Sequence, residues 1–197
     1  TSRSGRQASY YDPATGEFGL IDTCFGTHHL HFAPDEDRTL YFSGGGDVVG
    51  WINTRMYDET GDGQLSQGWC PLVVDTNGDG EITKPWNQPV GALRSVDVGG
   101  GGERLEDFNP TLDTRMSPGS YGVIANPVDN IVWGGGTEFP GRIWRVELGD
   151  NPPETCRSEV YELPVIDGEV EGFGPRGIDV DQNGVIWTAL SGSSHFA

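Results

Sequence analysis

The sequence predicts an all-β fold rich in turns, and three observations support this prediction. Hydrophobic residues make up only 35% of the 197 residues, which is too little for a thick helical core. The 31 glycines and 13 prolines exceed average usage, whereas six Trp, six Tyr and eight Phe argue against disorder. The third observation is that one hairpin plan recurs in three segments.

The three segments each begin at a glycine and contain two short strands joined by a polar turn. They start at Gly26, Gly119 and Gly174 and end in Leu40-Tyr41-Phe42, Ile131-Val132-Trp133 and Val185-Ile186-Trp187. The turn of the last segment contains Asn183-Gly184, a pair that favours tight hairpins because both residues tolerate positive φ. We therefore predict three β-hairpins.

A second kind of unit accompanies these hairpins. Residues 10–18 and 141–148 are predicted to form a third strand that turns into a fourth. Two hairpins in succession, repeated around an axis, make the four-stranded blade of a β-propeller. Residues 1–197 are thus predicted to form a partial β-propeller domain of three to four blades. Because so few blades cannot close a ring, we expect the natural polypeptide to be longer.

The spacing of the hairpins predicts an insertion. Gly119 and Gly174 are about one blade apart, whereas Gly26 and Gly119 are separated by nearly twice that length. Either an insertion or a diverged blade lies between the first two hairpins. This surplus contains an acidic stretch at residues 57–86, which we interpret as inserted Asp-rich calcium-type loops.

The clearer of these loops occupies residues 75–83. Side chains suited to a hard cation occupy loop positions 1, 3, 5, 7 and 9, with Gly80 at the sharp turn; they are Asp75, Asn77, Asp79, Glu81 and Thr83. Glu81 would offer its backbone carbonyl. The pattern predicts a bound Ca²⁺, and the alternative is an acidic Asn-Gly and Asp-Gly turn that binds no ion.

A weaker copy of the pattern precedes it, formed by Asp58, Thr60, Asp62, Gln64 and Ser66. Neither copy has the bidentate Glu expected at position 12, so a remote carboxylate must complete each shell; Asp47, Glu59 and Glu81 are candidates. The flanks at 48–52 and 70–74 lack helical periodicity and are predicted to be strands. We expect the ion to have a structural role. Asp179, Asp181 and Asn183 share the spacing but fit a hairpin turn better.

Alignment of the three hairpins assigns one equivalent position to His28, Tyr121 and Arg176, just before the first strand. In a propeller this position faces the mouth of the central channel, where these side chains would suit an anionic or polar ligand. His28 is a candidate proton carrier, and His195 is predicted near the same end. His29 and His31 share a strand face, but no third metal ligand is evident. The alternative is a polar ring that lines a wet channel.

The hairpin at residues 175–187 resembles the repeats of the streptogramin (virginiamycin B) lyase-like branch of bacterial propellers, which are related to NHL-repeat proteins. Residues 161–164 are similar to the outer strand of the same family. This resemblance implies blade architecture, and the lyases themselves open a cyclic ester with a His, a Glu and magnesium. Two hypotheses follow: a calcium-stabilised propeller that binds a small-molecule or protein ligand, or a lyase-like or lactone-cleaving enzyme that acts through His28, Tyr121, Arg176 and His195.

Charge and cysteine content limit the partners and the compartment. Thirty acidic and twelve basic residues give a net charge of −18, which would repel nucleic acid and attract divalent cations, or simply favour solubility. No apolar run approaches the roughly 20 residues of a membrane span. Cys24, Cys70 and Cys156 allow one disulfide and one thiol, or a Cys whose partner lies elsewhere. We expect a secreted or periplasmic protein.

Overall fold

The structure, a computed structural model, describes residues 5–44, 47–84, 92–93, 111–116, 120–137, 139–193 and 195–196. The all-β prediction is confirmed, since the described residues form mainly antiparallel sheets and one short helix. Strands β1 (Gln7–Asp12) and β2 (Glu17–Asp22) form the first hairpin. Its turn has the sequence Asp12-Pro13-Ala14-Thr15-Gly16, with Gly16 at φ +75°.

Sheet 1 is a four-stranded antiparallel meander in chain order. Its strands are β3 (His29–Phe32), β4 (Thr39–Ser43), β5 (Val48–Asn53) and β6 (Gln67–Pro71). Helix α1 (Thr54–Thr60) lies between β5 and β6. The sheet contains the first predicted hairpin, in which His29 pairs with Ser43 and Phe32 with Leu40.

Sheet 2 contains the second predicted hairpin and has seven strands. They are β7 (Val73–Val74), β8 (Ala92–Leu93), β9 (Thr114–Met116), β10 (Ser120–Ala125), β11 (Val132–Gly136), β12 (Arg142–Glu147) and β13 (Arg157–Glu162). The last four form an antiparallel meander, and β7, β9 and β8 extend it beyond β13. The surplus between the first two hairpins therefore supplies extra strands to the edge of sheet 2.

The remaining strands form a short hairpin and sheet 3. Strands β14 (Val165–Ile166) and β15 (Glu169–Val170) pair with each other. Sheet 3 consists of β16 (Pro175–Val180), β17 (Ile186–Leu190) and β18 (His195–Phe196). The first two of these are the third predicted hairpin, and Gly184 in its turn has φ +82°. All three predicted hairpins are thus confirmed as antiparallel strand pairs.

The range 57–86 differs from the predicted insertion in two respects. Strand β6 lies inside this range and is a member of sheet 1, so the two Asp-rich segments are not one continuous loop. Helix α1 also covers Asp58 and Thr60, which we predicted to be the first ligands of a calcium-type loop. Caps account for the helix: Asn53 accepts a hydrogen bond from the Met56 amide, and Gly61 ends it in the left-handed conformation at φ +68°.

Sheet 1 contributes residues to two hydrophobic cores, because successive side chains of a strand point to opposite faces of the sheet. Tyr41 of β4 packs in a core with Val123, Val132 and Trp144 of sheet 2. The next residue, Phe42, packs in a second core with residues of the β1–β2 hairpin and its exit, namely Ala8, Ile21 and Phe25, and with Ile52 of β5. Sheet 1 therefore lies between the β1–β2 hairpin and sheet 2.

A disulfide between Cys70 and Cys156 joins the end of β6 to the residue before β13. Both cysteines are buried in the core between sheets 1 and 2. Cys24 is a free, exposed thiol. The pairing of Cys70 with Cys156 leaves Cys24 as the unpaired member of the three cysteines in this sequence.

Candidate functional site

The chain at the starts of β3, β10 and β16 brings four side chains together: His28, His29, Tyr121 and Arg176, which we call the hairpin-entry cluster. The ring centroids of His28 and His29 are 4.7 Å apart, and those of His28 and Tyr121 are 5.1 Å apart. His29 is closer still to Tyr121, at 4.1 Å. The guanidinium carbon of Arg176 lies 5.4 Å from the centre of the Tyr121 ring, within cation–π range.

Close packing of the strands holds this cluster. Strand β10 contacts β3 on one side and β16 on the other. The Ser43 hydroxyl of sheet 1 donates a hydrogen bond to the backbone carbonyl of Tyr121, and it also accepts one from the His29 amide at 3.3 Å. On the other side, a Cβ at Gly122 would lie 2.5 Å from the carbonyl oxygen of Arg176. Glycine at 122 therefore permits the approach of β10 and β16.

The cluster combines cationic and aromatic character. Partial burial lowers the pKa of His29 below its usual value of 6.5, and the neighbouring His28 adds to this effect. His29 is thus neutral at pH 7, and Arg176 keeps its positive charge. A neutral imidazole can accept a proton, while the guanidinium offers donors to an anion. Sequence reasoning identified three of the four residues; it assigned His29 to a strand face with His31.

Two other predicted histidines lie in strands β18 and β3. His195 lies in β18, opposite Leu190 of sheet 3, and its side chain is outside the described part of the structure. His31 is partly buried, and its Nδ1 has no hydrogen-bond partner among the described residues. Within those residues no group of three or more His, Cys, Asp or Glu side chains is arranged as a metal site.

The 75–83 loop is tightly wound around its own side chains. The Asp75 carboxylate accepts hydrogen bonds from the amides of Gly78 and Gly80, at 2.6 and 2.9 Å. Asn77 and Asp79 accept bonds from the Asp79 and Glu81 amides, both at 2.9 Å. Gly78 and Gly80 have φ of +78° and +82°, conformations that favour glycine. The predicted ligands of this loop are therefore close to one another.

The side chains of the 58–66 segment are not brought together. Asp58 pairs with Arg38 at 2.8 Å, and the Thr60 hydroxyl donates to the Met56 carbonyl. Asp62 accepts bonds from the Gln64 and Leu65 amides. The Ser66 hydroxyl donates to the Asp62 carbonyl, and the Gln64 amide group to the Asp22 carbonyl. These bonds stabilise the end of α1 and the turn after it.

Asp181 also has the role predicted for it. Its carboxylate accepts hydrogen bonds from the amides of Asn183 and Val185, at 2.8 and 3.0 Å. The bond from Val185, and to a lesser degree the bond from Asn183, lowers the pKa of Asp181. The Asp-x-Asn-Gly sequence of sheet 3 thus shapes a hairpin turn.

Asp113 was not among the predicted residues, although it contacts the 75–83 loop. Its Oδ2 accepts a hydrogen bond from the Thr83 amide at 2.5 Å, and its own amide donates to the Thr83 hydroxyl at 3.2 Å. Asp113 lies 30 residues from Thr83 in the sequence, so no local spacing pattern could have predicted this contact. Of the candidates named from the sequence, Asp47 instead pairs with Arg115 at 3.4 Å.

A cavity of about 740 Å³ opens between the 75–83 loop and residues 154–159. Asp75, Asp79 and Glu81 line one side of it, and an ion pair between Lys84 and Glu154 joins the two sides. Cys156 of the disulfide lies in its wall. The acidic loop is therefore accessible to ions from solvent.

Comparison of the chain with protein-family models, curated proteins and solved structures found no match in any of the three. No helix in the described parts of the chain is long and apolar enough to cross a membrane.

Proposed function

We propose that these residues form part of a β-propeller that binds a small anionic or polar ligand at the hairpin-entry cluster. Support for the propeller comes from the order of the sheets. Sheets 1 and 2 each contain a four-stranded antiparallel meander, and the three strands of sheet 3 follow one another in the same way. The strands that begin these three meanders, β3, β10 and β16, pack side by side. Adjacent blades of a propeller pack in this way around its axis.

One observation carries the proposed ligand site: Tyr121 of sheet 2 contacts side chains from the equivalent positions of both neighbouring sheets. Ligand sites combine apolar or aromatic walls with a few convergent polar groups. Tyr121 supplies the aromatic wall, Arg176 supplies a guanidinium, and the His28–His29 pair supplies two imidazoles. A carboxylate attached to a flat ring matches these groups, because the ring can stack while the carboxylate accepts hydrogen bonds.

We further propose that the protein is extracytoplasmic and that Ca²⁺ stabilises it. The buried Cys70–Cys156 disulfide supports an oxidising compartment. The wound 75–83 loop and the net charge of −18 support binding of a divalent cation.

The ligand site can be tested by titrating the protein with benzoate and with inorganic phosphate while recording the imidazole NMR signals. We expect benzoate to shift the signals of His28 and His29 in a saturable manner. Arg176→Gln should weaken binding about tenfold or more, since it removes a charge-assisted hydrogen bond.

The matched control is Arg55→Gln, which removes the same charge from an exposed ion pair with Asp37, away from the cluster. Binding should be unchanged in this variant. Equal weakening in both variants, or no saturable shift with either probe, would contradict the proposed site.

Lyase-like or lactone-cleaving chemistry is the second candidate, and the lowered pKa of His29 favours it. A neutral imidazole next to Tyr121 is able to accept a proton from a substrate. Turnover of a cyclic ester by the wild-type protein, lost in both His28→Ala and His29→Ala, would support an enzyme. Turnover that is unchanged in both variants would exclude the cluster as its site.

A further inference from the structure

We propose that Asp113 is the remote carboxylate that completes the calcium site of the 75–83 loop. This inference rests on the calcium part of the proposed function and names the missing ligand. It is independent of the hairpin-entry cluster, so either can fail without the other.

The pairing register brings Asp113 to the start of the loop. Val74 of β7 pairs with Thr114 of antiparallel β9. Continued by one residue, this register would place Asp75 opposite Asp113. The Thr76 hydroxyl continues this register, since it donates to the Leu112 carbonyl at 3.1 Å and lies 3.0 Å from the Thr114 hydroxyl. Facing residues share one side of a sheet, with Cβ atoms about 4.5–5.5 Å apart.

Hydrogen bonds bring the same residue to the end of the loop. Asp113 and Thr83 exchange two bonds, from the Thr83 amide to Oδ2 and from the Asp113 amide to the Thr83 hydroxyl. Asp113 is thus next to position 1 of the loop by register and next to position 9 by direct contact. In a calcium loop the carboxylate at position 12 closes the shell in the same region.

The state of the Asp113 side chain points to a ligand. Asp113 is 0% exposed, and its Oδ1 has no hydrogen-bond partner among the described residues. A buried carboxylate with a free oxygen costs free energy unless a cation or donor satisfies it. A cation bound to this oxygen would offset that cost.

The resulting ligand set consists of oxygen atoms. The carboxylates of Asp75, Asp79 and Asp113 supply negative charge, and the Asn77 amide oxygen and the Glu81 carbonyl are neutral ligands. A set drawn from one loop and a residue distant in sequence suits Ca²⁺ better than Mg²⁺, which requires a compact octahedron. Bound calcium would tie the loop to β9 and so hold the extra edge of sheet 2.

Calorimetric titration with CaCl₂ tests this inference on the wild type and on Asp113→Asn, a variant of equal size that can still accept the Thr83 bond. We expect the variant to bind calcium at least about tenfold more weakly. In excess chelator it should melt at the same temperature as the wild type or higher, because the unpaired buried charge is gone. The control is Asp181→Asn, which removes one charge from the similar Asp-x-Asn-Gly turn of sheet 3; its calcium affinity should not change.

A purely structural Asp113 gives the opposite pattern: unchanged calcium affinity and a lower melting temperature with and without calcium. That result would overturn the inference but leave the calcium loop intact. Absence of any calcium binding to the wild type would overturn both, whereas benzoate binding to the cluster would be unaffected.

Hydrogen exchange of the wild-type protein provides a second readout that needs no variant. We expect calcium to slow exchange at the Thr83 amide and in residues 112–116 as well as in residues 75–81. Slowing confined to 75–81 would indicate that another carboxylate, such as Glu81, completes the shell and would refute the role of Asp113.

Discussion

At the residue scale, His29 is a titratable residue at the start of β3 whose position is fixed by its neighbours. Its imidazole lies against both Tyr121 and His28, and its backbone amide is held by Ser43. Burial next to a second imidazole disfavours the protonated form, so this ring is charged at a lower pH than an ordinary histidine. The cluster therefore gains positive charge on acidification.

We expect this shift to link pH to stability. Because folding lowers the pKa of His29 from 6.5, its contribution to the free energy of unfolding is fully present above pH 6.5. It declines as the pH falls from 6.5 through the lowered pKa. Urea unfolding at about pH 7.5 and pH 5 measures the difference. His29→Gln should reduce that difference, and an identical pH dependence in wild type and variant would contradict the assignment.

The same titration should strengthen anion binding. Protonation of His29 adds positive charge to the cluster that contains Arg176, so benzoate should bind more tightly as the pH falls over the same range. Weaker binding at lower pH, at a constant fraction of benzoate anion, would argue against an anionic ligand.

Sequence reasoning was more successful for the cluster than for the calcium shell. The common start of three hairpins identified His28, Tyr121 and Arg176, because equivalent positions of repeated strands meet when the strands pack together. Asp113 was missed because a strand pairing between β7 and β9, rather than local spacing, brings it to Asp75. The ligand set of the 75–83 loop stays a prediction.

At the element scale, substitution of Gly122 in β10 and of Gly177 in β16 tests how closely these two strands pack. A Cβ at Gly122 would lie 2.5 Å from the Arg176 carbonyl oxygen and 2.8 Å from Ile178. Gly122→Ala should therefore lower the free energy of unfolding by roughly 1–3 kcal/mol and displace Arg176 from Tyr121. Denaturant unfolding and benzoate binding measure the two effects.

Gly177→Ala is the matched control, since its nearest neighbour, the Ala189 Cβ, would be 3.6 Å away, an ordinary contact. We expect little loss of stability in this variant. Equal losses in both variants would show that the spacing of these strands is not as tight as the structure indicates.

The two Asp-rich segments should respond differently to a chelator. Asp79→Ala should abolish the drop in melting temperature that a chelator causes in the wild type. Asp62→Ala should lower the free energy of unfolding by about 1 kcal/mol, because it removes the hydrogen bonds that the Gln64 and Leu65 amides donate to the carboxylate. Its chelator sensitivity should nevertheless equal that of the wild type. A wild-type melt that does not respond to chelator would defeat the calcium proposal.

Helix α1 shows why one element escaped prediction. None of its seven residues is buried, so no apolar periodicity marks it in the sequence. Its caps at Asn53 and Gly61 are the signals that indicate it. The three hairpins were predictable because their turns and alternating strands are local features. The parallel pairs β7–β13 and β8–β9 join strands that no hairpin turn connects, so no turn sequence predicts these pairings.

At the scale of the whole molecule, the Cys70–Cys156 bond constrains the unfolded chain most strongly. It closes a loop with a sequence separation of 86 residues, which corresponds to roughly 4–5 kcal/mol in the chain-entropy description. A Cys70→Ala, Cys156→Ala double variant should therefore unfold at much lower urea concentration. Cys24→Ser, which changes the free exposed thiol, should leave the midpoint unchanged. A small effect in the double variant would indicate that its unfolded state stays compact.

The same bond determines what a single backbone cut does to the protein. Any peptide bond cleaved between Cys70 and Cys156 leaves two fragments that are still covalently linked. A protease-nicked sample would keep its intact mass, apart from one added water, and would run as one band on a non-reducing gel. Addition of a thiol would then release the two pieces, one carrying sheet 1 and the other carrying sheet 3.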